Sequence, residues 1–263
     1  MEHSGKDHHH FVLVHGSGHG AWCWYKVATA LRSDGHRVTA LDMAASGANP
    51  NRLEELSSLS DYSQPLIEFM ASLPSDERVV LVGHSMGGCG VCLAVEAFPE
   101  KVAVAVFAAA FMAGPDASAD VVYAEIHKHV DSYMDCKFFF DNGDDKPPTS
   151  LLLGPNFLSS RMYQMSPPQD LTLATMLVRP IGFLEQMKKL ELDLSEEKFG
   201  SVRRAYVGCE MDTFIKQDVL EWLIQKTPVD EVKIITGADH MVMLSKPLEF
   251  CSCLKDLADK FKN

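Results

Sequence analysis

The chain has 263 residues, 46% of them hydrophobic, and a formal net charge of −12. That length buries one large core, and that charge excludes nucleic acid and anionic membrane surfaces as partners, since both repel an acidic face. No run reaches the ~18–20 apolar residues of a membrane helix, and residues 1–10 are polar and histidine-rich where a secretory signal is apolar, so a soluble, cytoplasmic protein with a frayed N-terminal tail is expected.

Residues 11–14 form a short apolar run, the signature of a buried strand. Helical spacing follows over 22–33, stopped by Gly35, and 36–42 is the next strand. Residues 43–52 are a loop rich in Ala, Gly, Asn and Pro, and 53–73 are helical with Pro74 as the stop. Residues 79–82 predict a strand, 88–97 a helix, and 102–110, small and β-branched throughout, a central parallel strand. Strands alternating with helices imply right-handed crossovers and a parallel sheet.

The rhythm breaks after Phe111. Residues 112–195 carry methionines, aromatics and two proline pairs, at 147–148 and 167–168, with helices expected at 118–130, 155–163, 168–178 and 181–190. This segment reads as a mainly helical cap inserted into the sheet domain. The parallel pattern resumes with strands at 201–208 and 231–235 and helices at 217–225 and 246–262. The expected organisation is an α/β core of residues 1–111 and 196–263 with a cap of residues 112–195. Seven cysteines, the closest spacings being Cys89/Cys92 and Cys251/Cys253 with no histidine set at zinc-site spacing beside either, fit buried free thiols in a reducing compartment.

The chemistry centres on Gly83-His-Ser85-Met-Gly87, set between a predicted strand and a predicted helix. A serine at the tip of that sharp turn stands clear of the sheet, and glycines two residues to either side avoid a Cβ clash. A serine hydroxyl needs a base to take its proton, and the base needs an acid to hold its tautomer. In this architecture the partners follow in the order Ser, Asp or Glu, His. Asp212 follows the strand at 201–208 and His240 the strand at 231–235, so both fall on the same sheet edge as Ser85. Glu210 and Asp239 are rival carboxylates; Asp239 shares a tight turn with the histidine. An oxyanion also needs two donors: the N–H of Met86 and, from the glycine-rich loop at 15–20, that of Ser17. This loop lacks the Gly-Lys-Ser/Thr ending of a phosphate cradle. His15, His19 and His84 lie near the same edge without a carboxylate at ligand spacing, so no metal and no cofactor are expected; His15 is read as a structural residue bonding within its loop.

These residues sit in blocks that resemble the plant methylesterase and hydroxynitrile lyase family of α/β-hydrolases. The blocks are His10-Phe-Val-Leu-Val-His-Gly16, His19-Gly-Ala-Trp22, Val38-Thr-Ala-Leu-Asp42, Gly83-His-Ser-Met-Gly-Gly88, Leu177-Val-Arg-Pro180 and Ala238-Asp-His-Met241. The resemblance spans nearly the whole chain and implies the α/β-hydrolase fold, with Ser85 as nucleophile, Asp212 as acid and His240 as base. It implies a serine carboxylesterase acting on the methyl ester of a hormone or alkaloid acid. The lyases of that family carry a threonine and a lysine where this chain has Gly16 and Met241, which disfavours cyanide release; a non-hydrolytic hormone binder is the other alternative. Gly16, Phe111, Tyr123, Phe157 and Met241 are the candidate substrate contacts, with the aromatic run 138–140, Met162 and Met165 as further apolar lining. The expected partner is a small ester, and oligomeric state is left open, a homodimer included.

Overall fold

The computed structural model describes residues 8–128, 130–182 and 192–262. Its main sheet joins β1 (His10–Val14), β2 (Arg37–Leu41), β3 (Val79–His84), β4 (Val102–Ala108), β8 (Arg204–Cys209) and β9 (Glu231–Ile235), in the spatial order β2-β1-β3-β4-β8-β9. Every neighbouring pair is parallel. Between β4 and β8 the chain forms a second, antiparallel sheet of β5 (Lys137–Phe139), β6 (Ser150–Leu152) and β7 (Ile181–Gly182).

Period-two alternation along the strands sends successive side chains to opposite faces. Val12, Val14, Leu81, Phe107 and Tyr206 face one buried cluster. Phe11, Leu13, Val80, Val82, Val106 and Val207 face the other. The first cluster is covered by α2 (Leu59–Ser72), α3 (Gly87–Ala97), α4 (Ala119–His127) and α7 (Gln217–Lys226), through Leu66, Met70, Val91, Val95, Val122, Val219 and Leu223. The second is covered by α1 (Tyr25–Ser33), α8 (Val242–Ser245) and α9 (Pro247–Lys260), through Val27, Leu31, Val242, Phe250 and Leu254. Two short helices, α5 (Pro155–Phe157) and α6 (Pro168–Leu177), belong to the stretch between β4 and β8.

Strand order reverses between β1 and β3. From β1 the chain moves outward to β2 and then returns to the other side of β1, which opens a crevice at the carboxyl ends of β1 and β3. Val14 is in register with Gly83, so the loop leaving β1 and the turn leaving β3 emerge side by side.

Several expectations shift in the structure. The helix expected over 53–73 is broken: Leu53–Glu55 make a single 3-10 turn, and Ser58, whose hydroxyl accepts from Asp61 N–H at 3.0 Å, starts α2 afresh. At the other end of α2 the buried Lys101 ammonium donates to the carbonyls of Met70, Ala71 and Leu73 at 2.9, 3.1 and 2.9 Å, satisfying groups the helix itself leaves open. His10 is no tail residue. It is buried in β1, with its ring 2.6 Å from Glu77 Oε1 and 2.9 Å from Thr39 Oγ1. The helix expected over 155–163 is α5 followed by a π turn, Leu158–Met162. Of the helix expected over 181–190, Ile181–Gly182 is a strand and the rest lies outside the described residues. The three strands of the small sheet had no sequence signal, because strands of two or three residues are too short to show alternation.

The segment between β4 and β8 is fastened by charged side chains. Asp170 accepts from Tyr25 Oη at 2.8 Å and pairs with the Lys26 ammonium. The Arg179 guanidinium donates to the carbonyls of Gly47, Asn49 and Asn51 at 3.3, 2.7 and 3.1 Å.

Gly88 sets how closely α3 approaches the loop after β4. A Cβ there would stand 1.9 Å from the Phe111 carbonyl oxygen. Gly90, half a turn on, has room: its nearest neighbours would be Ser63 Oγ and Leu66 Cδ2 at 3.4 and 3.5 Å. Gly88→Ala is therefore expected to lose about 3 kcal/mol or more of stability. Gly90→Ala should be neutral or gain up to ~1 kcal/mol, from the better helix propensity of alanine. Urea midpoints at unchanged m-value check this; equal midpoints for the two variants would contradict it.

Candidate active site

Ser85 lies one residue beyond β3 with φ of 51°, a left-handed conformation that a non-glycine residue adopts only when its surroundings impose it. Those surroundings are visible. Ser85 O accepts from both Gly88 N and Phe111 N at 3.0 Å, and Ser85 N donates to Ala108 O at 3.4 Å. A Cβ on Gly83 would meet Gly87 at 2.9 Å, and one on Gly87 would meet Val14 O at 2.6 Å.

The loop after β1 closes against this turn through Gly16, where a Cβ would sit 2.8 Å from Ser85 Cβ. The carbonyls of Gly16, Ser17 and Gly18 are engaged. His15 Nδ1 donates to Gly16 O at 2.8 Å, His19 Nδ1 donates to Ser17 O at 2.8 Å, and Arg179 N donates to Gly18 O at 2.9 Å. In a trans peptide the N–H points opposite to the preceding carbonyl. Fixing Gly16 O thus aims the Ser17 N–H the other way. Among the described residues, neither Ser17 N–H nor Met86 N–H donates a backbone hydrogen bond, and both residues line one cavity with Ser85.

Asp212 and His240 meet although 28 residues separate them. His240 Nδ1 is 2.8 Å from Asp212 Oδ2, and both side chains are buried. Asp212 Oδ1 accepts from Phe214 N at 2.7 Å and Ile215 N at 3.0 Å, so its carboxylate is fixed in place. His240 Nε2 is buried without a hydrogen-bond partner among the described residues. The rival carboxylates are occupied elsewhere. Exposed Glu210 accepts from Gly237 N at 2.8 Å. Asp239 accepts from Met241 N at 3.0 Å, Met165 N at 2.9 Å and Ser166 Oγ at 2.8 Å.

Three buried histidines surround these groups, and burial lowers the pKa of each. His84, next to Ser85, donates from Nε2 to His240 O at 2.8 Å and packs its ring 4.8 Å from the His240 ring. His15 Nε2 accepts from Met43 N at 3.1 Å. His19, held near pKa 4, accepts at Nε2 from Tyr163 Oη at 2.7 Å and lies between the rings of Trp22 and Tyr163. Among the described residues no group of three or more His, Cys, Asp or Glu side chains is placed to hold a metal ion.

The cavity encloses about 630 Å³, its mouth included, and is walled by Phe111, Tyr123, His127, Tyr133, Leu151, Leu153, Phe157, Met162, Ile181 and Phe214. Of the candidate substrate contacts, Phe111, Tyr123 and Phe157 are in this wall. Gly16 lies beneath it, against the turn, and Met241 is wholly buried in the core beside α8. Phe138, Phe139, Phe140 and Met165 are exposed and outside the cavity wall. His127, Tyr133 and Phe214 had no sequence signal: they come from α4, the loop before β5 and the loop after Asp212, and only folding brings them together. A larger groove of about 1830 Å³, lined by Leu53, Phe139, Pro147 and Pro148, is an open surface that Ser85, Asp212 and His240 do not touch.

Comparison with known proteins agrees with this architecture. The profile of the alpha/beta hydrolase family matches residues 11–252. Methyl jasmonate esterase 1 from Vitis vinifera is 50% identical over 258 residues, 97% of this chain and 99% of that protein. Polyneuridine aldehyde esterase from Rauvolfia serpentina is 43% identical over 258 residues, covering 97% and 98%. The crystal structure of tomato methylketone synthase I complexed with 2-tridecanone superimposes with a TM-score of 0.93 at 44% identity, covering 97% of this chain and 100% of that one. Among the described residues no helix is long and apolar enough to cross a membrane. Matched along nearly its whole length by named esterases, the chain belongs to the alpha/beta hydrolase family and is a carboxylic ester hydrolase.

Proposed function

We propose that the protein hydrolyses the methyl ester of a small metabolite acid, with Ser85 as nucleophile, His240 as base and Asp212 as the acid that orients it. The observation that carries this reading is the 2.8 Å Asp212–His240 bond, with His240 Nε2 buried and unpaired beside a strained serine turn. Relatives named for methyl jasmonate and polyneuridine aldehyde esterase activity support a small ester as substrate. Residues 112–195, as a cap over the core of 1–111 and 196–263, would choose the acid, since they supply most of the cavity wall.

The steps follow from these groups. Ser85 Oγ attacks the ester carbonyl while His240 Nε2 takes its proton; Asp212 holds the Nδ1–H tautomer and steadies the resulting imidazolium. The carbonyl oxygen becomes an oxyanion, received by the N–H groups of Met86 and Ser17. His240 returns the proton to the departing methoxy oxygen, methanol leaves, and water attacks the acyl-enzyme by the same route. A cyanohydrin lyase would need a cation beside the base for its leaving anion; Met241 there is uncharged and buried.

Methanol release from a panel of methyl esters tests the reading. Ser85→Ala should cut turnover about 10³–10⁶-fold with an unchanged melting temperature; more than a tenth of the wild-type rate would overturn the assignment. Asp212→Asn should cost roughly 10⁴-fold in kcat by stabilising the wrong tautomer, whereas Glu210→Gln should turn over like wild type. The reverse pattern would move the acid to Glu210.

The histidines under the oxyanion loop predict a pH dependence of stability. Burial lowers His19 from 6.5 to about 4 in the fold. The unfolded chain therefore binds the extra proton between those values, and the folded one resists it. The contribution is complete above pH 6.5 and is lost as pH falls toward 4. Melting temperature should drop across that window, and the drop should be shallower in His19→Asn, whose amide does not titrate. Equal slopes for the two proteins would show that His19 takes no part.

A further inference from the structure

Most of the cavity wall is apolar, and its two tyrosine hydroxyls, on Tyr123 and Tyr133, rotate and both donate and accept. One further polar atom has a fixed role. His127 closes α4, and its Nδ1 lies 2.9 Å from the Tyr123 carbonyl one turn earlier. A carbonyl only accepts, so Nδ1 carries the hydrogen. Burial lowers the pKa of the ring, and in the neutral imidazole Nε2 is left with a lone pair. No group among the described residues donates to it.

The ring is also held rigidly. It stacks on Tyr123 with centroids 3.7 Å apart and planes 20° from parallel, and meets Phe214 edge-on at 6.0 Å and 86°. Phe214 in turn packs 5.3 Å from the His240 ring. His127 therefore stands one aromatic ring away from the base, in the wall that faces whatever acid the serine carries.

We propose that His127 Nε2 is a specificity-determining acceptor of the acyl pocket: it takes a hydrogen bond from an O–H or N–H on the acid part of the ester, and so selects aromatic acids that carry such a donor over acids of the same shape that lack one. This rests on reading the cavity as the acyl site of Ser85. His127 is half-buried in the open cavity; once an acid fills it, a polar atom shut off from water without a partner is penalised. A donor on the substrate removes that penalty for both groups at once, while a methyl group in its place leaves Nε2 unpaired.

The test uses methyl esters of phenylacetic, 3-phenylpropanoic and 4-phenylbutanoic acid, each with a para hydroxyl or a para methyl group. The three lengths vary the reach from Ser85, and the two substituents are nearly equal in size. An apolar wall alone favours the methyl compound. With His127 as acceptor, the hydroxyl compound should be preferred about tenfold in kcat/KM at the length that reaches it. In His127→Phe, which keeps a flat ring and removes the acceptor, the preference should vanish or reverse, with the para-methyl esters still cleaved. Because the wild-type ratio is informative by itself, a variant that fails to fold does not rescue the idea. Cleavage with no hydroxyl preference at any length, or an unchanged preference in His127→Phe, would overturn the role of His127 and leave the esterase reading standing. Release of methanol from no methyl ester at all would overturn both.

Discussion

A serine at φ 51° is a strained residue, and much of the surrounding architecture keeps it there. Its carbonyl is held by two N–H groups, one from α3 and one from the strand-end loop after β4. Its flanking glycines let α3, β1 and the loop at 15–20 crowd the turn from three sides. Release any of these and the turn relaxes toward ordinary backbone, taking the hydroxyl out of line with the cavity. The order of strands serves the same end, since the reversal between β1 and β3 opens the crevice into which the serine points.

Around this turn the polar connections are made by neutral histidines. Each of His15, His19 and His84 donates from one ring nitrogen to a backbone carbonyl, and in His15 and His19 the other nitrogen accepts. A rigid ring that both donates and accepts joins two loops across a dry interior without burying a charge. The result is a set of loop conformations specified by tautomer as much as by packing. At the same edge Asp212 pairs with the His240 ring at hydrogen-bond distance, both side chains buried.

The parallel sheet was legible because its strands are long, apolar and regularly separated by helices. The serine turn was legible because glycine spacing around it answers a steric demand that few other residues meet. The pairing of Asp212 with His240 was approachable from chain order alone, since both follow strands at one sheet edge. Legibility failed where the determinant is a distant contact. The bond from Tyr163 to His19 spans 144 residues, and nothing local in either segment announces it. The small antiparallel sheet is built from strands of two or three residues whose pairing depends on tertiary context. Met241 was expected to face the substrate because it follows the base, yet α8 starts at the next residue and turns that side chain into the core. The break at Ser58 was missed because the hydrophobic pattern runs through it, and only the hydroxyl cap marks the restart.

Asp239 and His240 are consecutive residues with divided duties. The first gathers N–H and hydroxyl donors from Met165 and Ser166, and the second meets Asp212. Any displacement of the 163–166 segment therefore pulls on the peptide that carries the imidazole. For anyone grafting a foreign segment between β4 and β8, that peptide is the seam: a graft that matches the cavity but loses the two donors to Asp239 would leave a buried carboxylate short of partners directly beside the base.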